Sequence, residues 1–194
     1  MYRPSTCARL ATALLGAAVA PSSVAHGQGT AETPELVARQ FLTAIRDTNW
    51  FRAASLMHPS ALAQFHDLFS PILQCENATA GQIRVEVFGV HSKVEAARAS
   101  DTSLVASLLR YGTTREEGML DVLRTAQMRV VGHVAEGGDT VHVLARLSLK
   151  VDSIPVSQME VISFRRYGNT WRTLLKSDFS AMGAMLRRLC VKSS

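Results

Sequence analysis

Hydrophobic positions recur at helical spacing along the first part of the chain and at every second residue after Gln127. Thr33-Pro34-Glu35 has the make-up of a helix start: a capping hydroxyl, proline at the first helical position and an acid beside the positive end of the helix dipole. Val37, Phe41, Ala44 and Ile45 then fall on one helical face. Asp47-Thr48-Asn49 interrupts the stripe, and Asn49 can cap a second short helix with Trp50, Ala53, Ala54 and Met57 on one side. A break at Pro59-Ser60 precedes a third stripe, Leu62, Phe65, Leu68 and Phe69. It is predicted to end before Pro71, because proline removes an amide donor and crowds the preceding turn.

Ile83, Val85 and Val87 alternate with Arg84 and Glu86, which predicts a strand over residues 83–90. Ser92 and Glu95 have capping-box spacing, and Asp101 is placed to restart a helix carrying Leu104, Val105, Leu108 and Leu109. Gly112 is placed to stop that helix, and Thr113 with Glu116 reads as a second capping box ahead of Met119, Leu120, Val122 and Leu123. Period-two segments follow at residues 128–135, 140–151, 156–166 and 171–176. They are separated by Gly137-Gly138, by a turn over residues 152–155 and by Gly168-Asn169, so the pattern predicts a four-strand antiparallel meander. Asp178 or Ser180 can cap a closing helix bearing Phe179, Met182, Met185, Leu186 and Leu189. The fold class is therefore α+β: N-terminal helices packed on a curved antiparallel sheet, with an extra C-terminal helix.

The turns assign faces, since residues directly opposite one another share a side of the sheet. They pair His133 with His142, Val134 with Val141, Leu147 with Glu160, Ala145 with Ile162, and Phe164 with Thr173. One face then collects Val130, Val134, Val141, Val143, Ala145, Leu147, Leu149, Ile162, Phe164, Trp171 and Leu175. This face is expected to meet the helices. Val143, Ala145, Leu147, Ile162, Phe164 and Trp171, with Trp50 from the helical arm, are its expected pocket lining. Gln158 and Glu160 fall on the same face, and a carboxylate there would be desolvated and able to act as a general base or acid, which makes Glu160 the one catalytic candidate. The alternative is that Glu160 reaches the rim and meets water or an arginine. The opposite face collects Arg129, His133, His142, Arg146, Arg165, Arg172 and Lys176, either a solvated exterior, an anion-binding surface, or a two-histidine metal site lacking a third ligand.

The N-terminus changes the picture most. Arg3 and Arg9 precede an uncharged, Ala- and Leu-rich run over residues 10–20, and Ser23-Val24-Ala25 offers a small-x-small cleavage pattern. Residues 1–25 read as a secretory signal peptide, residues 26–32 as a disordered lead-in and residues 33–194 as a single domain. The run is shorter than the ~20 residues a membrane span needs, so no span is expected. The formal charge of +5 includes Arg3 and Arg9, and the mild excess left without them gives no argument for a nucleic-acid partner. Of the three cysteines, Cys75 and Cys190 lie beyond the leader, either as one disulfide of an exported protein or as two buried thiols. His58, His66 and Asp67 lie on the helical arm without metal spacing, and no phosphate loop, HExxH or nucleophile elbow is present. No cofactor is implied. Asn77-Ala78-Thr79 is a glycosylation sequon, relevant only in a host that glycosylates.

Two stretches carry a resemblance. One is Phe41-Leu42-Thr43-Ala44 followed by Asn49-Trp50-Phe51-Arg52-Ala53-Ala54-Ser55-Leu56-Met57-His58-Pro59; the other is Gly168-Asn169-Thr170-Trp171-Arg172 before the last strand. With the order helices, strand, helices, meander, the chain resembles the cone-shaped nuclear transport factor 2-like superfamily, which includes ketosteroid isomerases, polyketide cyclases and non-catalytic binding modules. It departs in the long helical stretch over residues 92–126, the added C-terminal helix and the lack of a second early strand. The isomerase Tyr/Asp/Asp set has no residue-by-residue match, so no catalytic residue is carried over. With the leader, and with no catalytic set to carry over, the chain reads as an exported domain that binds a small apolar ligand or a protein partner; the alternative is an isomerase, cyclase or lyase using Glu160, the acid that the face assignment singles out. The sheet's outer face often makes dimers in the superfamily, and a homodimer stays open here.

Overall fold

The computed structural model describes residues 32–151, 154–176 and 179–191, with the side chains of residues 180–184 and 191 outside the description. The chain divides into Met1–Ala31 and Glu32–Ser194, and every helix and strand named below belongs to the second unit. The expected signal peptide and all but the last residue of the lead-in lie outside the described residues, as does Asp178.

Helix α1 (Pro34–Arg46) starts where expected, with the Thr33 hydroxyl accepting from the Leu36 amide, and α2 (Trp50–Ser55) is capped by Asn49. Two expectations fail in α3 (Pro59–Gln74). Pro59 opens the helix and His58 caps it, accepting from the Ser60 amide at 3.1 Å. Pro71 lies inside it, and the helix runs on to Gln74. Proline in a helix costs about 3 kcal/mol. Continuing keeps Phe65, Phe69, Ile72 and Leu73 on one buried face, each of which contributes roughly 1.5–3 kcal/mol. Burial outweighs the lost amide bond.

The expected strand over residues 83–90 is helical. Asn77 caps α4 (Ala78–Ile83), which passes directly into a π-helical turn, Arg84–Phe88, closed by Gly89 at φ 67°, a conformation open to glycine. The decisive side chain is Arg84. It is buried and donates to the carbonyls of Ile72 (3.2 Å) and Cys75, acceptors freed by the end of α3. Val87 and Phe88 are buried on the same side, whereas Val85 is exposed, which no period-two burial would produce.

Helix α5 (Lys93–Arg98) has its capping box: Ser92 accepts from the Glu95 amide, and Glu95 accepts from the His91 amide at 2.8 Å. Helix α6 (Asp101–Thr114) is capped by Ser100 rather than Asp101 and runs past Gly112, where the Thr113 and Thr114 hydroxyls donate back to the Leu109 and Arg110 carbonyls. Thr113 is therefore no cap, and α7 (Met119–Arg124) begins after Gly118.

The meander is β1 (Gln127–Glu136), β2 (Thr140–Val151), β3 (Ile154–Tyr167) and β4 (Thr170–Thr173), an open antiparallel sheet in the order β1-β2-β3-β4. Its free β4 edge is met by the segment after α2: Thr173 donates to the Leu56 carbonyl (2.9 Å) and His58 to the Thr173 carbonyl (2.8 Å). Helix α8 (Phe179–Val191) closes the chain and packs chiefly on α3.

The core is divided. One cluster joins the helices through Phe65, Phe69, Ile72, Leu73, Phe88, Leu104 and Leu186. A second joins α1 to the sheet through Val37, Ala38, Leu56, Val143, Phe164 and Trp171. A smaller third comprises Ala44, Ile45 and Ala53, with Trp50 and Leu123 packed on it.

Candidate functional site

A cavity of about 410 Å3 lies between the first two clusters, bounded by helices on one side and the inner face of the sheet on the other. Helix α1 contributes Ala38, Phe41 and Leu42, α6 contributes Val105, Leu108 and Leu109, and Phe65 comes from α3. The sheet contributes Met128, Ala145, Leu147 and Ile162, and the chain after β4 adds Leu174, Leu175 and Phe179. Ala38 on the helix and Ala145 on the sheet are small, buried residues of the lining, so larger side chains there would reduce the space.

One polar residue of the lining, Thr173, is buried, and the other polar groups reach solvent. Gln158, Glu160 and Lys176 all border the cavity, and Gln158 and Lys176 are exposed to solvent. The Gln158 amide donates to Glu160 Oε1 at 2.8 Å, and the Lys176 ammonium pairs with Glu160 Oε2. Both carboxylate oxygens are thus occupied, and the negative charge has a cation on it. The arrangement can receive the polar end of a ligand through Lys176 or Gln158. It does not present a bare base to an apolar interior.

Registers explain which expectations about faces hold. The Gly168-Asn169 hairpin pairs Phe164 with Thr173 as read from the sequence. The β2–β3 pairing is shifted by two residues, Ala145 opposite Glu160 and Leu147 opposite Gln158, which leaves every side chain on its expected face. Residues 152 and 153 of that turn lie outside the description. The β1–β2 hairpin is shifted by one near its tip, because Glu136 pairs with Thr140 and the loop holds three residues. That slip turns Val134 outward, where it is 68% exposed opposite His142. It turns His133 inward, where Nδ1 meets Glu35 of α1 at 3.0 Å. A bulge between Val130 and Gly132 then restores the expected pairing of Val130 with Ala145. The two histidines therefore sit on opposite faces, which removes the two-histidine metal site. Among the described residues no group of three or more His, Cys, Asp or Glu could hold a metal ion.

Of the expected pocket residues, Ala145, Leu147, Gln158 and Ile162 border the cavity, with Glu160. Val143, Phe164 and Trp171 are buried in the second core cluster, and Trp50 packs with the third. Lys176 borders the cavity instead of the outer face that alternation predicts. The ladder ends at Thr173, so alternation no longer governs residue 176, and consecutive Leu174-Leu175 is the sequence signal for that change. The helical lining from α1 and α6 has no distinct sequence signal, because helical stripes do not distinguish a cavity wall from filled core.

Burial acts to raise the Glu35 pKa, but hydrogen bonds from its own amide and the Thr33 hydroxyl, and the interaction with His133, outweigh it and hold the carboxyl below its ordinary value. On the outer face Ser163 Oγ meets His142 Nδ1 at 2.9 Å and His142 Nε2 meets Glu136 at 2.7 Å. This chain of contacts runs across the outer face of the sheet, from β3 through β2 to β1. His66 pairs with Asp101 at 2.8 Å; Asp67 is exposed. The sequon residue Asn77 is committed to capping α4 and to the Leu189 carbonyl (3.2 Å). Cys75 and Cys190 are free thiols. Among the described residues no helix is long and apolar enough to cross a membrane. No protein-family model matches the chain, and neither does any curated protein or solved structure.

Proposed function

We propose that this is an exported, non-catalytic binding module of the nuclear transport factor 2-like kind, which takes a small, largely apolar ligand between its helices and its sheet. The observation that carries the reading is the 410 Å3 cavity with largely apolar walls and polar groups that reach solvent. Its volume falls within the ~300–1,000 Å3 of small-molecule sites, and such sites combine apolar walls with a few placed polar groups. The pairing of Glu160 with Lys176 and Gln158 supports binding over catalysis, since a neutralised carboxylate that reaches solvent is poorly placed to take a proton from a buried substrate.

Native mass spectrometry of the protein purified from its own host tests this. The expected result is a bound small molecule at one per chain, retained in Glu160→Gln. Ligand-free chains throughout, or a ligand chemically turned over by the wild type and not by Glu160→Gln, would contradict it.

A further inference from the structure

A pair of thiols lies away from the cavity. Cys75 follows the last residue of α3, and Cys190 sits in the last turn of α8. The packing of α8 on α3 brings them together: Leu186 is buried in the helical core, Cys190 Sγ lies 3.2 Å from the Pro71 carbonyl, and Asn77 Nδ2 reaches both Cys75 Sγ (3.1 Å) and the Leu189 carbonyl (3.2 Å). The two thiols lie close enough for each to shift the ionisation of the other. We propose that Cys75 and Cys190 form a dithiol–disulfide couple, with Cys75 attacking and Cys190 resolving, that fastens the last helix to α3. This holds whatever the cavity binds.

The oxidant is an external disulfide, either a small molecule or a protein. The Cys75 thiolate attacks one of its sulfurs, the external S–S bond breaks, and one thiolate leaves. Cys190 then gives its proton to that thiolate or to water and attacks Cys75 Sγ, expelling the second thiolate. The protein loses two electrons and two protons, and the external disulfide becomes two thiols. The roles follow from the surroundings. Hydrogen bonding from the Cys190 thiol, and from the amide of Asn77, lowers the Cys75 pKa against a small burial effect. Burial, with Cys75 beside it, pushes Cys190 up to about 11. The attacking thiol is the one with more thiolate at neutral pH. Outside the cytoplasm the bonded form persists.

The test is incubation of the reduced full chain with oxidised glutathione, trapping with iodoacetamide and non-reducing peptide mapping, which also separates any Cys7 adducts. The expected product is a Cys75–Cys190 cross-linked peptide within one chain. Cys190→Ser should stall as glutathione on Cys75. Cys75→Ser should leave Cys190 reacting at least about tenfold more slowly than Cys75 does in Cys190→Ser. The bonded form should melt about 10 °C higher than the reduced form, with amide exchange over residues 185–191 slowed. Both serine variants are first checked for wild-type circular dichroism, and Cys75→Ala or Cys190→Ala replaces one that fails. Cross-links only between chains, faster reaction at Cys190, or no exchange difference over α8 would overturn the proposal.

Discussion

Arg84 offers the sharpest test of why residues 84–88 are helical. Its guanidinium is buried and serves two carbonyls at the end of α3, where the helix dipole is also negative. Replacing it with Met keeps much of the stem and removes both donors. Hydrogen bonds to a charged group contribute about 1.5–3 kcal/mol each, and a buried acceptor left unpaired costs about 1–3 kcal/mol. Against this stands the cost of burying the charge, and Nε has no hydrogen-bond partner. The balance predicts a loss of about 2–4 kcal/mol for Arg84→Met, or roughly 5–15 °C in Tm for a chain of this size. Glu86→Ala, on the exposed side of the same turn, should stay within about 0.5 kcal/mol. Urea unfolding followed by circular dichroism measures both, with unchanged m-values licensing the comparison. If Arg84→Met is as stable as Glu86→Ala, Arg84 does not hold this segment.

Phe164→Ala should cost about 3–5 kcal/mol by the same assay, because Phe164 is wholly buried where the sheet meets α1; an exposed-site effect below about 1 kcal/mol would mean the inner face is misassigned. Glu35 contributes stability at pH values above its ordinary unfolded pKa, and this is lost as pH falls through its lower folded value. Glu35→Gln should therefore flatten the acid limb of the stability–pH curve below about pH 4.5. A steeper acid limb would contradict the assignment. Deleting Val131, the extra residue of the β1 bulge, should turn that stretch into a regular ladder with Val130 still opposite Ala145 and His133 still opposite Val143, and so keep the His133–Glu35 contact. The His133 side-chain NMR signals should stay close to those of the wild type, and a large shift would show that Val131 is not the extra residue of this register.

Much of the fold was legible where one signal acted alone. Thr33, Asn49 and Ser92 cap helices because short side-chain oxygens meet free amides there, and the Gly168-Asn169 turn sets the β3–β4 register. Legibility failed where two periods fit the same residues. Ile83 and Val87 lie four apart as well as on alternate positions, and only the distant carbonyls of α3 explain why Arg84 goes inside. Faces survived a two-residue error between β2 and β3 but not a one-residue error in the Gly137-Gly138 hairpin, since side chains alternate with period two. The floor of the cavity could be read from Ala145, Leu147 and Ile162. Its emptiness could not, because that depends on how side chains from α1, α6 and the sheet, distant in sequence, pack together. The Glu160–Lys176 pair was hidden by the end of the ladder at Thr173.

The central claim is that the space between α1, α6 and the inner face of the sheet accepts a ligand. Titration of the wild type with an uncharged apolar fluorophore, beside Ala145→Phe and Ala38→Leu, tests it directly. Saturable binding at one site per chain is predicted, weakened at least about tenfold by whichever filling variant keeps its cooperative melt. Binding of equal strength to the filled and unfilled proteins, or none to the wild type, would contradict it.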